Sequence, residues 1–122
     1  MDDITSTFSS EDLLAMVGSD LGMLCELRDI FEEEAPRVLK DIRDAVSAQN
    51  AAALDQHAHL MKNVVASVGG RASRETAMIL ERLARARDLG ATPDLTERLA
   101  AEIAALREAL ATYVTTRTTV GE

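Results

Sequence analysis

Residues 20–48 read DLGMLCELRDIFEEEAPRVLKDIRDAVSA, and apolar side chains recur in this segment at steps of three or four residues. This spacing places them on one stripe of a long amphipathic α-helix. Pro36 lies inside the segment, where it removes one backbone hydrogen bond and crowds the preceding turn. Because the stripe keeps its phase across Pro36, we expect a kink in one helix rather than a break between two. The stripe consists of Leu24, Leu27, Phe31, Ala35, Val38, Ile42 and Ala45.

The rest of the chain divides into four more amphipathic segments, separated by residues that favour the start or the end of a helix. The first predicted segment is a short helix between Ser9 and Gly18, and the second is a helix from residue 51 to about residue 68, between Asn50 and Gly69-Gly70. The third is a helix from about residue 72 to residue 88, ended by Gly90. The last helix opens at Thr92-Pro93-Asp94 and ends before a Thr-rich tail from Thr115.

Long helices with short connections and one apolar stripe each predict an all-α fold. The stripes are buried most simply in an antiparallel, up-and-down four-helix bundle, with the short additional N-terminal helix as a lid. We expect a single domain over 1–122, with 1–8 and 116–122 as loose tails. We also expect a monomer, because no surplus of apolar residues demands a dimer.

Composition narrows the class of protein. Phe8, Phe31 and Tyr113 are the only aromatic residues, although 47% of the chain is hydrophobic, and such a core favours helices over strands. Cys25 is the single cysteine and cannot form an internal disulfide. We find no signal peptide and no apolar run of about 18 residues. These features predict a cytoplasmic protein that does not enter a membrane.

Charge is distributed unevenly along the chain. The formal net charge of −8 argues against a nucleic-acid partner, which would require clustered Lys and Arg. Residues 62–87 nevertheless carry six basic and two acidic side chains, a local charge of +4. This basic segment, which includes Arg74, could attract an anionic partner, or it could be an ordinary solvated surface.

The sequence HAHLMKN at residues 57–63 contains the best candidate for chemistry. A neutral imidazole is a good phosphoryl acceptor, and Lys62 follows His59 by about one helical turn, so its ammonium could neutralise phosphate oxygens. Asn63 and Ala66 share this face, which points away from the apolar stripe. His57 lies about 200° around the helix from His59, so the two cannot form a two-histidine metal site, and we expect no bound metal.

Several landmarks together resemble the histidine-containing phosphotransfer (HPt) domain, whose hallmark reads approximately A-H-x-L-K-G-x-x-x-x-x-G. Here it stands as Ala58-His59-Leu60-Met61-Lys62-Asn63 with Gly69 in place, and residues 79–83, ILERL, resemble the Leu-Glu element of the family. The resemblance implies that His59 accepts a phosphoryl group from a response-regulator receiver domain or a histidine kinase and passes it to another receiver. It also implies that the receiver supplies the Mg²⁺, so no cofactor is expected here.

The resemblance further suggests roles on the next helix. Short connections make neighbouring helices antiparallel, so Glu81 should lie beside His59, where its carboxylate could accept the hydrogen of one imidazole nitrogen. Arg85, one turn beyond Glu81, could meet a receiver carboxylate or phosphoryl oxygens, or could simply pair with Glu81. Arg74 and Ala66 are candidate partner-binding residues.

Asn63 departs from the family pattern, which usually has Gly at this position. Glycine in a helix costs about 1 kcal/mol relative to Ala, so its usual presence indicates close approach by the partner. Two functions remain open: a working phosphorelay intermediate, or a non-transferring module that binds a receiver or kinase and regulates by occupancy. In either case we expect no kinase or ATPase activity from this chain, because it lacks an ATP-binding segment.

Overall fold

The structure is a computed structural model that describes the backbone of residues 7–120 and the side chains of residues 7–118. The described residues form five α-helices and contain no β-strand, which confirms the all-α prediction. The helices are α1 (Ser10–Val17), α2 (Leu21–Ser47), α3 (Ala51–Ala66), α4 (Arg71–Arg85) and α5 (Thr92–Val120).

Polar side chains cap the first three helices at their N-termini. Ser9, Asp20 and Asn50 each accept a hydrogen bond from the backbone N–H three residues later, at 3.2, 2.9 and 3.1 Å. These bonds satisfy donors that have no partner inside the helix. The helix starts predicted at Ser9 and Asn50 are therefore confirmed. Helix α2 also runs without a break through Pro36, which lies on its exposed side.

Helices α2, α3 and α4 all end in the same backbone motif. Gln49, Gly69 and Arg87 have φ values of 51°, 78° and 56°, which lie in the left-handed region. In each case this residue's N–H donates to the carbonyl three residues earlier, and the next residue's N–H donates to the carbonyl five residues earlier. This pattern of bonds is the Schellman motif, which satisfies the last carbonyls of a helix.

Four of the approximate helix boundaries that we predicted differ from those in the structure. Helix α3 ends at Ala66 rather than residue 68, and α4 covers Arg71–Arg85 rather than 72–88, so Gly90 does not end it. Helix α5 continues to Val120, so residues 116–120 are helical and not the irregular tail that we predicted. Within this helix the hydroxyl of Thr116 donates to the carbonyl oxygen of Thr112 at 2.9 Å, so threonine is accommodated without a break.

The structure describes only part of the two predicted tails. Residues 1–6 and 121–122 lie outside the described residues, so their expected looseness stays a prediction. Phe8 is half-buried, and its ring packs against Tyr113 of α5, with the ring centroids 5.5 Å apart.

The buried side chains form one hydrophobic cluster with contributions from all five helices. Helix α2 packs against α3 and α5, and α4 packs against the same two helices. Most of the predicted α2 stripe is buried, including Phe31 and Ile42, whereas Leu27 is half-buried at its edge. Among the described side chains of α5, Val114 is buried and its neighbour Tyr113 is half-buried. No helix in the described part of the chain is long and apolar enough to cross a membrane.

Helix α1 is fastened to the turn between α3 and α4. The N–H of Ser9 donates to the carbonyl oxygen of Gly69 at 2.7 Å. The guanidinium of Arg71 makes two bonds of 2.8 Å to the two carboxylate oxygens of Asp12. Leu13 of α1 is fully buried in the core. The short helix is thus held by a backbone bond, a bidentate ion pair and an apolar anchor.

Candidate functional site

The packing of α3 against α4 brings His59 beside Glu81. The His59 side chain is 53% exposed, and its Nδ1 lies 2.5 Å from Oε2 of Glu81. Ala58 and Met61, on either side of His59 in α3, are buried in the core and fix the face on which the imidazole lies. The predicted adjacency of His59 and Glu81 is therefore present in the structure.

Glu81 is a nearly buried carboxylate surrounded by hydrogen-bond donors. Its side chain is 7% exposed, and Nζ of Lys62 donates to Oε1 at 3.1 Å. Nη2 of Arg85 donates to Oε2 at 3.0 Å, the oxygen that also faces His59. Because each oxygen has a donor and both cations are close, the carboxylate can remain charged despite its burial.

The pKa of Glu81 reflects two opposing effects. Burial is the largest single contribution and favours the neutral acid, so it acts to raise the pKa. Hydrogen bonds from His59 and Lys62, together with the charges of Lys62 and Arg85, favour the carboxylate and outweigh burial. The net result is that the pKa of Glu81 lies below its ordinary value, and the group is ionised at neutral pH.

An ionised Glu81 determines which imidazole nitrogen carries the hydrogen. A carboxylate can only accept hydrogen bonds, so Nδ1 of a neutral His59 must be the donor in this contact. The lone pair of the neutral ring is then on Nε2, the nitrogen that does not face Glu81. A half-exposed imidazole in this tautomer can act as a nucleophile without first losing a proton.

Asp55 is a member of this cluster to which the sequence reasoning assigned no role. It lies on α3 one helical turn before His59, and its Oδ1 accepts a hydrogen bond from Nε of Arg85 at 3.1 Å. Arg85 therefore contacts Asp55 and Glu81 at the same time. The only signal in the sequence was that Asp55 shares a helix face with His59, and this does not identify Arg85 as its partner.

The remaining predicted partner-binding residues occupy other positions. Asn63 is exposed on α3, one turn beyond His59. Ala66 and Arg74 line a separate groove of about 360 Å³ between α1, α3 and α4. The structure thus gathers His59, Lys62, Glu81 and Arg85 into one cluster, whereas Ala66 and Arg74 border the groove at the end of α3.

The described residues contain no group of three or more His, Cys, Asp or Glu side chains placed to hold a metal ion. His57 is half-buried and lines a shallow cavity with Asp41 and Asp44 of α2, separate from the His59 cluster.

Comparison with known proteins places the chain in a family. The family model for the Hpt domain matches residues 26–109, which is more than half of the chain. The chain therefore belongs to the Hpt domain family, the histidine-containing phosphotransfer domains. A search of curated proteins finds no significant match.

One similar solved structure is the histidine-containing phosphotransfer protein B (HptB) from Pseudomonas aeruginosa PAO1. The TM-score is 0.84, and the match covers 90% of this chain and 96% of that one. The two chains are 23% identical, so this likeness establishes a shared fold.

Proposed function

We propose that this protein is a phosphotransfer intermediate of a two-component phosphorelay, with His59 as the phosphoryl acceptor. The observation that carries the proposal is the half-exposed imidazole of His59 held through Nδ1 by the buried carboxylate of Glu81. This arrangement leaves the other ring nitrogen as the nucleophile. Membership of the Hpt domain family supports the same chemistry. His59 is the histidine of the sequence motif that resembles the family hallmark.

The proposed reaction is an in-line exchange of one bond at phosphorus. The Nε2 lone pair attacks the phosphorus of a receiver's aspartyl phosphate, a P–N bond forms, and the P–O bond to the aspartate breaks. The bonding electrons leave with the aspartate carboxylate, and the reverse step delivers the phosphoryl group to a second receiver. The transition state is loose and anionic, so positioning and cations contribute most of the catalysis. Lys62 is the proposed cation, and the receiver's acidic pocket would supply Mg²⁺.

Glu81 is proposed to orient His59 and to increase its nucleophilicity. A carboxylate that accepts the Nδ1 hydrogen fixes the ring and stabilises positive charge that develops on the imidazole during attack. Arg85 pairs with Glu81 and Asp55 in the unphosphorylated protein. Because Arg85 is 62% exposed, it can also contact the partner or the phosphoryl oxygens.

The proposed scaffold is an antiparallel four-helix bundle of α2 to α5 with α1 as an addition. The pairwise packing of α2 and α4 against both α3 and α5 supports this arrangement. We propose a cytoplasmic monomer whose partners are receiver domains or a hybrid histidine kinase. Asn63 is exposed one turn after His59, and Ala66 and Arg74 line the groove at the end of α3. We propose that all three contact the partner.

A second candidate function is a non-transferring module that regulates a receiver or kinase by occupying it. The observation that favours it is Asn63, which is exposed one turn after His59 where the family usually has Gly. An amide at this position could hinder the close approach that in-line transfer needs. The bound partner would then be retained without chemistry.

Incubation with a receiver carrying radioactive aspartyl phosphate tests the proposal. We expect acid-labile, base-stable label on the wild-type chain and none on His59→Gln. The matched control is His57→Gln, which removes the neighbouring histidine and should leave labelling unchanged. Receiver binding without label from any donor would instead support occupancy. In that case, label gained by Asn63→Gly would identify Asn63 as the obstruction.

A further inference from the structure

Asp55 holds Arg85 across the interface between α3 and α4, one helical turn before His59. Nε of Arg85 lies 3.1 Å from Oδ1 of Asp55 and 3.4 Å from Oδ2. Nη2 of the same guanidinium donates to Oε2 of Glu81 at 3.0 Å. Because the guanidinium is rigid and planar, its contact with Asp55 limits the orientation in which it can meet Glu81.

The contacts continue from Arg85 to His59 through a single oxygen atom. Oε2 of Glu81 accepts hydrogen bonds from both Nη2 of Arg85 and Nδ1 of His59. Lys62 occupies the other oxygen, Oε1. Arg85 and Lys62 therefore hold the carboxylate from both sides, and its orientation determines how well it meets the imidazole.

Arg85 needs a second anchor to perform this role. Its side chain is 62% exposed, so one hydrogen bond to Glu81 must compete with water and with the entropy of a long, flexible side chain. Asp55 is 33% exposed and provides that anchor from the helix that carries His59. Without Asp55, Arg85 would leave Glu81 for part of the time, and the carboxylate would be held on one side only.

We propose that Asp55 is a positioning residue for His59, acting through Arg85 and Glu81 to favour the tautomer with hydrogen on Nδ1. Its expected effect on the phosphotransfer rate rests on the function proposed above. Its expected effect on the tautomer does not, because the tautomer is a property of the unphosphorylated protein. Asp55 itself touches neither the reacting nitrogen nor the phosphoryl group in this role.

Asp55→Asn tests the proposal with two independent measurements. Nitrogen NMR of the imidazole ring reports the fraction of each His59 tautomer, and we expect the Nδ1–H form to decrease. Transfer from a phosphorylated receiver should slow by about threefold, the size expected for loss of one partly exposed ion pair. Asp55→Glu keeps the charge and should restore most of both properties.

A double-mutant cycle distinguishes positioning from a general effect of charge. Arg85→Gln should change the tautomer as Asp55→Asn does, and the double variant should show no further change, because both substitutions break one chain of contacts. Glu32→Gln is the matched control. It removes another interhelical carboxylate, paired with Arg107 of α5 on the other side of the molecule, and should leave His59 unchanged.

Three outcomes would overturn the proposal. They are an unchanged tautomer in Asp55→Asn, a faster transfer rate, or an Asp55→Asn effect that persists in the Arg85→Gln background. If Asp55→Asn loses its helical circular dichroism, Arg85→Gln carries the test, and an unchanged tautomer in that variant overturns the proposal. A wild-type chain that accepts no label would contradict the phosphotransfer function, while the NMR measurement would still decide the role of Asp55.

Discussion

At the scale of single residues, Lys62 is less exposed than the sequence indicated. The sequence places its ammonium on a helix face that points away from the apolar stripe, but the side chain is only 21% exposed and pairs with nearly buried Glu81. Removing one partner of a buried pair leaves the other charge poorly compensated. Lys62 therefore has a structural role in addition to its proposed catalytic one.

Lys62→Met keeps most of the apolar stem and removes the charge. We expect the free energy of unfolding to fall by about 1 to 2 kcal/mol, because Arg85 and His59 still compensate part of the Glu81 charge. We expect phosphotransfer to slow by about tenfold. Urea denaturation and single-turnover labelling measure the two effects. Lys40→Met, which removes a 75% exposed lysine, is the control and should be close to neutral.

The sequence was sufficient for some of these contacts and not for others. Antiparallel packing of consecutive helices placed Glu81 beside His59, and the structure has that contact. The sequence could not predict that Asp55 pairs with Arg85, because the partner of Arg85 depends on the rotation of α4 about its axis and on the Arg85 rotamer. Both are determined by packing of the whole core rather than by local spacing.

At the scale of helices, Gly69 joins α1 to the end of α3. Its φ is 78°, and a Cβ at this position would lie 2.5 Å from the carbonyl oxygen of Ser9. An alanine would therefore meet both an unfavourable backbone conformation and a clash with the segment leading into α1. This physical reason accounts for glycine at the last position of the family motif in this chain.

Gly69→Ala is expected to lower the free energy of unfolding by about 2 kcal/mol. The amides of α1 should also lose hydrogen-exchange protection before those of α2, because α1 would be displaced from its site. Gly90→Ala is the matched control, since a Cβ there has no neighbour within 4 Å. Equal stability of the Gly69→Ala and wild-type proteins would show that the turn can relax without cost.

The predicted helix ends show where local rules work. Gly69-Gly70 correctly predicts a helix stop, because glycine adopts a left-handed conformation easily. Gly90 predicts a stop for the same reason, but α4 ends earlier, with Arg87 in the left-handed conformation. The apolar stripe of α4 has its last buried residue at Ala84, so no further core packing favours another helical turn. At the end of α4, core packing therefore outweighs the preference of Gly90 for a helix stop.

At the scale of the whole molecule, the basic segment is partly neutralised by folding. Of the six cations in residues 62–87, Lys62 pairs with Glu81, Arg71 with Asp12, and Arg85 with Glu81 and Asp55. The local charge of +4 counted along the sequence thus overstates the positive potential on this side of the protein. Any attraction to an acidic partner depends more on exposed residues such as Arg74.

These ion pairs make the stability of the protein depend on pH. The pKa of Glu81 is below its ordinary value of 4.5, because hydrogen bonds and nearby cations outweigh burial, and Arg71 lowers the pKa of Asp12. Both carboxyls therefore bind protons more weakly in the folded chain than in the unfolded one. Their contribution to stability is fully present above the unfolded pKa values and is lost as the pH falls through the folded ones.

Urea denaturation between pH 7 and pH 3 tests this linkage. We expect the free energy of unfolding of the wild-type protein to decrease below about pH 4.5, and the decrease to be smaller in Glu81→Gln, which has no carboxyl to titrate. Glu81→Gln should also be less stable than wild type at pH 7, because its amide cannot compensate the two cations. Glu33→Gln, on the exposed side of α2, is the control and should keep the wild-type slope. Identical slopes for Glu81→Gln and wild type would show that Glu81 is not stabilised as an anion, and the tautomer assigned to His59 would lose its physical basis.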